Sequence, residues 1–277
     1  MDPVLYQEIL DCNDSELDLE VLRRSIDSID DQLLALLKQR LEIVKRVGRY
    51  KMTNPSQSQV VIRPGREAKI YQALLSTNDS GYSAQALASI WRSIIATSVN
   101  TEQKIQILAH TPKDQKDNYW LAREYFGSFT PISLQADAAT VISTLEKSSN
   151  TIAVFGQIDG PFKWWRHLIP LAESRLIQIF VRIPVVAAAP SIGGPLSAPN
   201  PIGFAVAQIE PEPSHQDTSI WAIESSTPWV DLAKACSNLN IPLHLLDQDG
   251  QYFLISLPEF CVSMDASTIQ ALKSIPT

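Results

Sequence analysis

Cysteine is scarce in this chain. Cys12, Cys236 and Cys261 are the three in 277 residues. They lie far apart with no metal-binding spacing, which fits a reducing compartment better than a disulfide framework. No run approaches the roughly 18–20 apolar residues that cross a bilayer, so no membrane span is expected. The stretch from Met1 to Glu16 is acidic and lacks the basic-then-apolar pattern of a secretion signal. A basic surplus is missing too: the net charge of −7 argues against a general nucleic-acid binder. Together these absences lead to the expectation of a soluble, cytoplasmic chain. Its 277 residues, 45% of them apolar, are enough for about two domains.

Glycine and proline are thin in the first third, and helix is what that third predicts. From Leu19 the apolar positions run Leu22, Ile26, Ile29, Leu33, Leu36/Leu37, Leu41, Val44 and Val47, a 3-4 spacing held for about eight turns. No proline interrupts before Pro55. A helix over about 16–52 would be roughly 55 Å long, well beyond the ~30 Å of a hundred-residue domain. It needs apolar partner surface that its own segment cannot supply, so a homodimer is expected. A polar linker over 53–59 follows. Pro64 suits a first helical turn ahead of a short helix over 66–76, and Ser83 can cap a third helix reaching about Lys104, with Leu87, Ile90/Trp91, Ile94/Ile95 and Ser98 as its stripe.

After Lys104 the grammar changes. Short apolar runs at 105–109, 131–134, 151–155 and 176–182 read as strands, with helices over 118–126 and 138–147. The five prolines between Pro184 and Pro201 predict an irregular connection. The remainder reads β-α-β-β-α, over 219–224, 229–237, 243–246, 252–256 and 267–273. The expected fold is an all-α N-terminal domain of three helices, forming an intertwined dimer, followed by an α/β region. The expected domains are 1–104, 105–210 and 211–277.

Cations on the long helix are the strongest chemical signal. Arg40 and Lys51 are eleven residues apart, so they share a face with backbones about 16 Å apart. Two long side chains reaching toward each other can grip one small dianion. Arg23 lies about 26 Å from Arg40 along the axis, too far to close on the same ligand from the same helix. A symmetry mate packed antiparallel can present its Arg23 instead. Taken alone, these cations read equally as solvated charge beside an apolar stripe.

The wider series is more specific. Leu22-Arg23, Ile29-Asp-Asp-Gln-Leu-Leu-Ala-Leu-Leu-Lys-Gln-Arg40, Val47-Gly-Arg-Tyr-Lys51, Arg66-Glu67 and Ile94-Ile-Ala-Thr-Ser98-Val-Asn-Thr-Glu102 together resemble the all-helical chorismate mutase family over about 17–103. The resemblance implies rearrangement of chorismate to prephenate with no cofactor and no metal. It implies that Arg40, and Arg23 of the partner subunit, hold the substrate carboxylates. Lys51 would donate to the ether oxygen of the breaking bond, and Glu67 would accept from the substrate hydroxyl. Arg66 would set conformation or contact a carboxylate, and Ser98 would sit near the ring carboxylate. A Claisen rearrangement needs no nucleophile or proton transfer, so positioning and donors aimed at developing charge are the tools available. Two positions depart from the family pattern. Arg63 stands where some members have an acid and reads either as an extra site cation or as linker charge. Glu102 stands where many bacterial members have Gln. A carboxylate there would repel charge on the ether oxygen, so activity is expected to fall as pH rises.

Residues 105–277 resemble, more weakly, a prephenate dehydratase region followed by an ACT-like regulatory part, through Ala122-Arg-Glu-Tyr-Phe-Gly127, Ile152-Ala-Val-Phe155 and Asn200-Pro-Ile-Gly-Phe204. The resemblance implies a catalytic threonine where Ile202 stands, so dehydration is expected to be absent. The Glu-Ser-Arg-Pro motif by which such regulatory parts bind phenylalanine is lacking, and Leu246-Asp-Gln-Asp249 occupies about its place. Trp164, Trp165 and His167 read either as pocket lining or as core, with core the commoner role of an aromatic pair. Ser191-Ile-Gly-Gly194 lacks the strand-then-helix setting of a phosphate loop. Three rival readings remain: a non-catalytic protein that binds chorismate or an aromatic amino acid, a bifunctional mutase–dehydratase, and an isochorismate pyruvate lyase.

Overall fold

A computed structural model describes residues 18–54, 62–114, 116–172, 177–185, 202–210, 212–238 and 240–261. Cys12, most of the Pro-rich connection, Ser191–Gly194 and the helix expected over 267–273 lie outside the described residues. The chain divides into two compact units, 1–59 and 60–277. Three helices come first and an α/β region follows, in the order expected from the sequence.

The first unit is carried by α1, Leu19–Thr53. Asp18 caps it, accepting from Glu20 N at 3.1 Å, and Glu20 in its first turn and Lys51 in its last complement the helix dipole. Gly48 is the one buried residue of this 35-residue helix. Leu19, Ile26, Leu33 and Leu36 are 57%, 58%, 53% and 60% exposed, far more apolar surface than one helix normally leaves to water. Among the described residues, no helix is long and apolar enough to cross a membrane.

The second unit opens with α2, Pro64–Ser76, which has Pro in its first turn. Next comes α3, Ala84–Glu102, capped by Ser83 Oγ accepting from Ala86 N at 3.1 Å. Beyond it run β1 (Gln106–His110), α4 (Asp117–Phe126), β2 (Ile132–Gln135), α5 (Ala138–Lys147) and β3 (Thr151–Phe155), then a 3-10 helix Trp164–Leu168 leading into α6 (Ile169–Ala172), then β4 (Ile177–Ile183) and β5 (Gly203–Gln208). Sheet order is β2-β1-β3-β5-β4. β1 is parallel to β2 and β3, while β5 is antiparallel to β3 and β4.

Alternation along the strands gives the sheet two apolar faces. Ile107, Ala109, Ile152 and Val154 meet Leu121, Ala122 and Phe126 of α4 together with Ile95 and Val99 of α3. Leu108, Ala153, Phe155 and Val206 meet Val141 and Leu145 of α5 and the pair Trp164 and Trp165. Helices α2 and α3 thus share a core with the sheet. A second sheet, order β6-β8-β7 and antiparallel throughout, is built from β6 (Ser219–Glu224), β7 (His244–Asp249) and β8 (Tyr252–Leu257). Helix α7 (Trp229–Asn238) puts Leu232 against Phe253, Ile255 and Leu257. With β8 inserted between the strands that flank α7, this is a split β-α-β arrangement.

Candidate functional site

On α1 the expected spacing is realised in one uninterrupted helix, so Arg40 and Lys51 lie about 20° apart around its axis. Arg40 is exposed and Lys51 half-buried. Arg23, also exposed, pairs with Glu20 at 2.9 Å. An exposed pair of this kind is worth little and releases its arginine readily.

The start of α2 presents Arg63, Arg66 and Glu67 in sequence, and they fare differently. Arg63 Nε and Nη2 both donate to Glu212 Oε1, at 2.9 and 2.7 Å, and Arg66 faces solvent. Glu67 turns inward and is 7% exposed. Its Oε2 accepts from Arg92 Nη1 at 2.5 Å and from Tyr125 Oη at 3.2 Å. The Arg92 guanidinium carbon stands 4.3 Å from the Tyr125 ring centroid, and Tyr71 completes the cluster through a bond with Arg92. Burial opposes the charge on Arg92, yet Tyr125, Glu67 and Tyr71 outweigh it and hold the guanidinium above its ordinary pKa. Burial pushes the Tyr125 phenol well up, so it stays a hydrogen-bond donor at any working pH. On α3, Ser98 is buried and donates to Ile94 O at 2.7 Å, and Glu102 is half-buried one turn on.

Arg92, Tyr71 and Tyr125 were not singled out from the sequence. A signal existed for the first: Arg92 falls on the line Ala88, Arg92, Ile95/Ala96, Val99, the buried stripe of α3, and a charge on an apolar stripe requires a partner.

A second place gathers polar groups. A cavity of about 390 Å3, lined by His110, Asp137, Phe162, Lys163, Arg166 and His167 among others, opens beyond the carboxyl ends of β1 and β2, where α/β sheets commonly bind ligands. Its cations are already engaged. Lys163 Nζ bonds both Asp247 oxygens, at 2.6 and 2.8 Å, and Arg166 pairs with Asp249 at 3.1 Å and stacks 3.4 Å over Tyr252. The acids of Leu246–Asp249 therefore tie the second sheet to the Lys163–Leu168 segment. Trp165 Nε1 also donates to Asp247, at 2.7 Å, and Trp164 stacks on Phe155 at 4.5 Å. Both tryptophans are core. His167 lines the cavity.

Ile202 is half-buried and leads into β5. Gly203, paired with Ile183, has room for nothing larger: a Cβ would lie 2.9 Å from Phe155 O. Among the described residues no group of three or more His, Cys, Asp or Glu is placed to hold a metal ion.

Residues 22–103 match the family described as chorismate mutase type II. The segment crosses from the first compact unit into the second. Three curated relatives are each called bifunctional chorismate mutase/prephenate dehydratase. That of Aquifex aeolicus is 31% identical over 151 residues, 52% of this chain and 40% of that protein. Those of Stutzerimonas stutzeri and Pseudomonas aeruginosa are each 29% identical, over 34% and 32% of this chain and 26% and 25% of their own lengths. The chain thus spans two fifths or less of the curated relatives it matches.

Proposed function

We propose that this chain is a chorismate mutase, an isomerase that rearranges chorismate to prephenate without cofactor or metal. One observation carries the reading: residues 22–103 match the chorismate mutase type II family, and within that match Arg40 and Lys51 share one face of α1 while Glu67, Ser98 and Glu102 follow in the family's order after a slightly longer linker.

The chemistry divides as follows. Arg40 and Arg23 of the partner subunit bind the two carboxylates and select the compact conformer in which the reacting carbons meet. Lys51 donates to the ether oxygen as its bond to carbon breaks. Glu67 orients the substrate hydroxyl, and Arg66 and Ser98 shape the carboxylate end; Arg63, held by Glu212, stays open between an extra site cation and linker charge. Glu102 lies near the ether oxygen, so the rate falls as pH rises, and Glu102→Gln flattens that dependence. The apolar surface along α1 supports the homodimer that brings Arg23 into place.

Residues 105–210 are proposed as a dehydratase-like region without dehydratase activity, because Ile202 offers no hydroxyl where a threonine is required. Residues 211–277 are proposed as an ACT-like part, a reading the split β-α-β arrangement supports. Localisation is proposed as cytoplasmic. The deciding experiment incubates the purified chain with chorismate and identifies the product by chromatography. Prephenate without phenylpyruvate bears the reading out. Unchanged chorismate replaces it with the binding-protein reading, phenylpyruvate restores the dehydratase, and pyruvate points to a lyase.

A further inference from the structure

We infer that Arg92 and Tyr125 are positioning residues for Glu67, so that the first helix after the mutase segment helps to set the mutase site. The inference rests on the function proposed above.

Burying Glu67 has a cost. Glu67 is 7% exposed, and a buried carboxylate must be paired. The charge comes from Arg92, itself 7% exposed, across from α3. A buried ion pair is poor value as a stabiliser, since apolar side chains of similar volume fill the same space without desolvating two charges. This one is not even fully satisfied: Arg92 Nε is buried and finds no partner among the described residues. Stability alone gives little reason to keep a charged pair here.

Geometry supplies a reason. Arg92 Nη1 and Tyr125 Oη both donate to the same carboxylate oxygen, Oε2. Two donors from two helices fix that oxygen and the plane of the group, and so fix where Oε1 points. The Arg92 guanidinium is itself held, with the Tyr125 ring 4.3 Å away on one side and the Tyr71 hydroxyl as a further partner. A substrate-orienting carboxylate needs this kind of support, because a side chain left free to rotate loses the alignment that positioning supplies.

Tyr125 lies on α4, outside the matched segment 22–103. Its ring and Glu67 belong to one core with Ile95, Val99, Leu121 and Phe126. Through the Tyr125 phenol the α/β region touches a carboxylate of the proposed mutase site, which makes that region part of the enzyme rather than an appendage.

The test is a double-variant cycle in the full chain: wild type, Tyr125→Phe, Glu67→Gln and the two combined, with chorismate consumption as the readout and thermal melting followed in parallel. Tyr125→Phe is expected to lower kcat about tenfold with a melting temperature close to wild type, and to cost less than twofold in the Glu67→Gln background. Arg92→Lys, which keeps the charge but loses the fork, is expected to lower kcat less than Arg92→Met. An unchanged kcat in Tyr125→Phe overturns the inference, as do equal losses in both backgrounds. If Glu67→Gln is itself inactive, the first of these readouts decides. A wild type that leaves chorismate unchanged overturns the function and this inference together, whereas an active wild type with an unaffected Tyr125→Phe overturns this inference alone.

Discussion

Glu67 of α2 and Arg92 of α3 stand 2.5 Å apart with both side chains 9% exposed, a charge pair set between helices rather than laid across a surface. Breaking such a pair is costly because the survivor keeps its desolvation and loses its partner. Arg92→Leu is expected to lose about 3–5 kcal/mol of stability. The combined Glu67→Leu, Arg92→Leu chain should lose much less than the sum of the single variants. Urea unfolding of all four chains checks this, and additive losses would show that the two side chains are not energetically coupled.

Arg40 and Lys51 carry a different prediction, because the function proposed above assigns them to substrate and transition-state charge. Lys51→Ala is expected to lower kcat by about 10²–10³, the usual effect of removing one preorganised donor at a developing oxyanion. Arg40→Ala is expected to raise KM and lower kcat together, since a carboxylate anchor both binds and orients. Neither change should move the melting temperature by more than a degree or two. Initial rates across a range of chorismate concentrations separate the two patterns.

How far the sequence revealed this arrangement depends on how local each signal is. The long helix was legible because its 3-4 pattern runs unbroken from Leu19 to Val47, and the observed Leu19–Thr53 follows it closely. Pro64 and Ser83 marked helix starts correctly because capping is settled within one turn. The face of α3 was read partly wrong. Ile90, expected inward, is 45% exposed, while Ala88, Arg92, Ile95 and Val99 line the core. Arg92 was the informative residue, but its partners Glu67 and Tyr125 lie 25 positions back and 33 ahead, and no local period carries that. Asp247 and Asp249 were similarly opaque. Two acids at the end of a short strand read as solvent-facing until Lys163 and Arg166 are brought to them by the fold.

His110 links pH to stability. Burial holds its imidazole below its ordinary pKa of 6.5, against the upward pull of its bond to the Ala136 backbone and of Asp137. A histidine whose folded pKa is depressed contributes stability that is present above the unfolded value and lost as pH falls toward the folded one. Unfolding free energy should therefore decline below about pH 6.5, and His110→Gln, if it folds, should show a shallower decline over the same window. Melting temperatures from pH 7.5 to 5 decide the matter, and identical slopes would rule His110 out as the linked group.

The proposed homodimer makes a prediction that no single chain can meet. If Arg23 serves the neighbouring site, Arg23→Ala and Arg40→Ala homodimers are each deficient for a different reason. Mixing them under conditions that let subunits exchange produces heterodimers in which one site has lost both arginines and the other has both intact. With random exchange in a closed two-fold dimer, half the dimers are mixed and each has one good site, so about a quarter of wild-type activity should return. If Arg23 acts in its own subunit's site, or not at all, mixing returns nothing. A Leu33→Glu change offers an independent route to the same point. Leu33 is 53% exposed on α1, and a carboxylate placed in the apolar surface proposed to form the interface is costly to bury. Sedimentation should then show monomers, and chorismate turnover should fall with the dimer fraction.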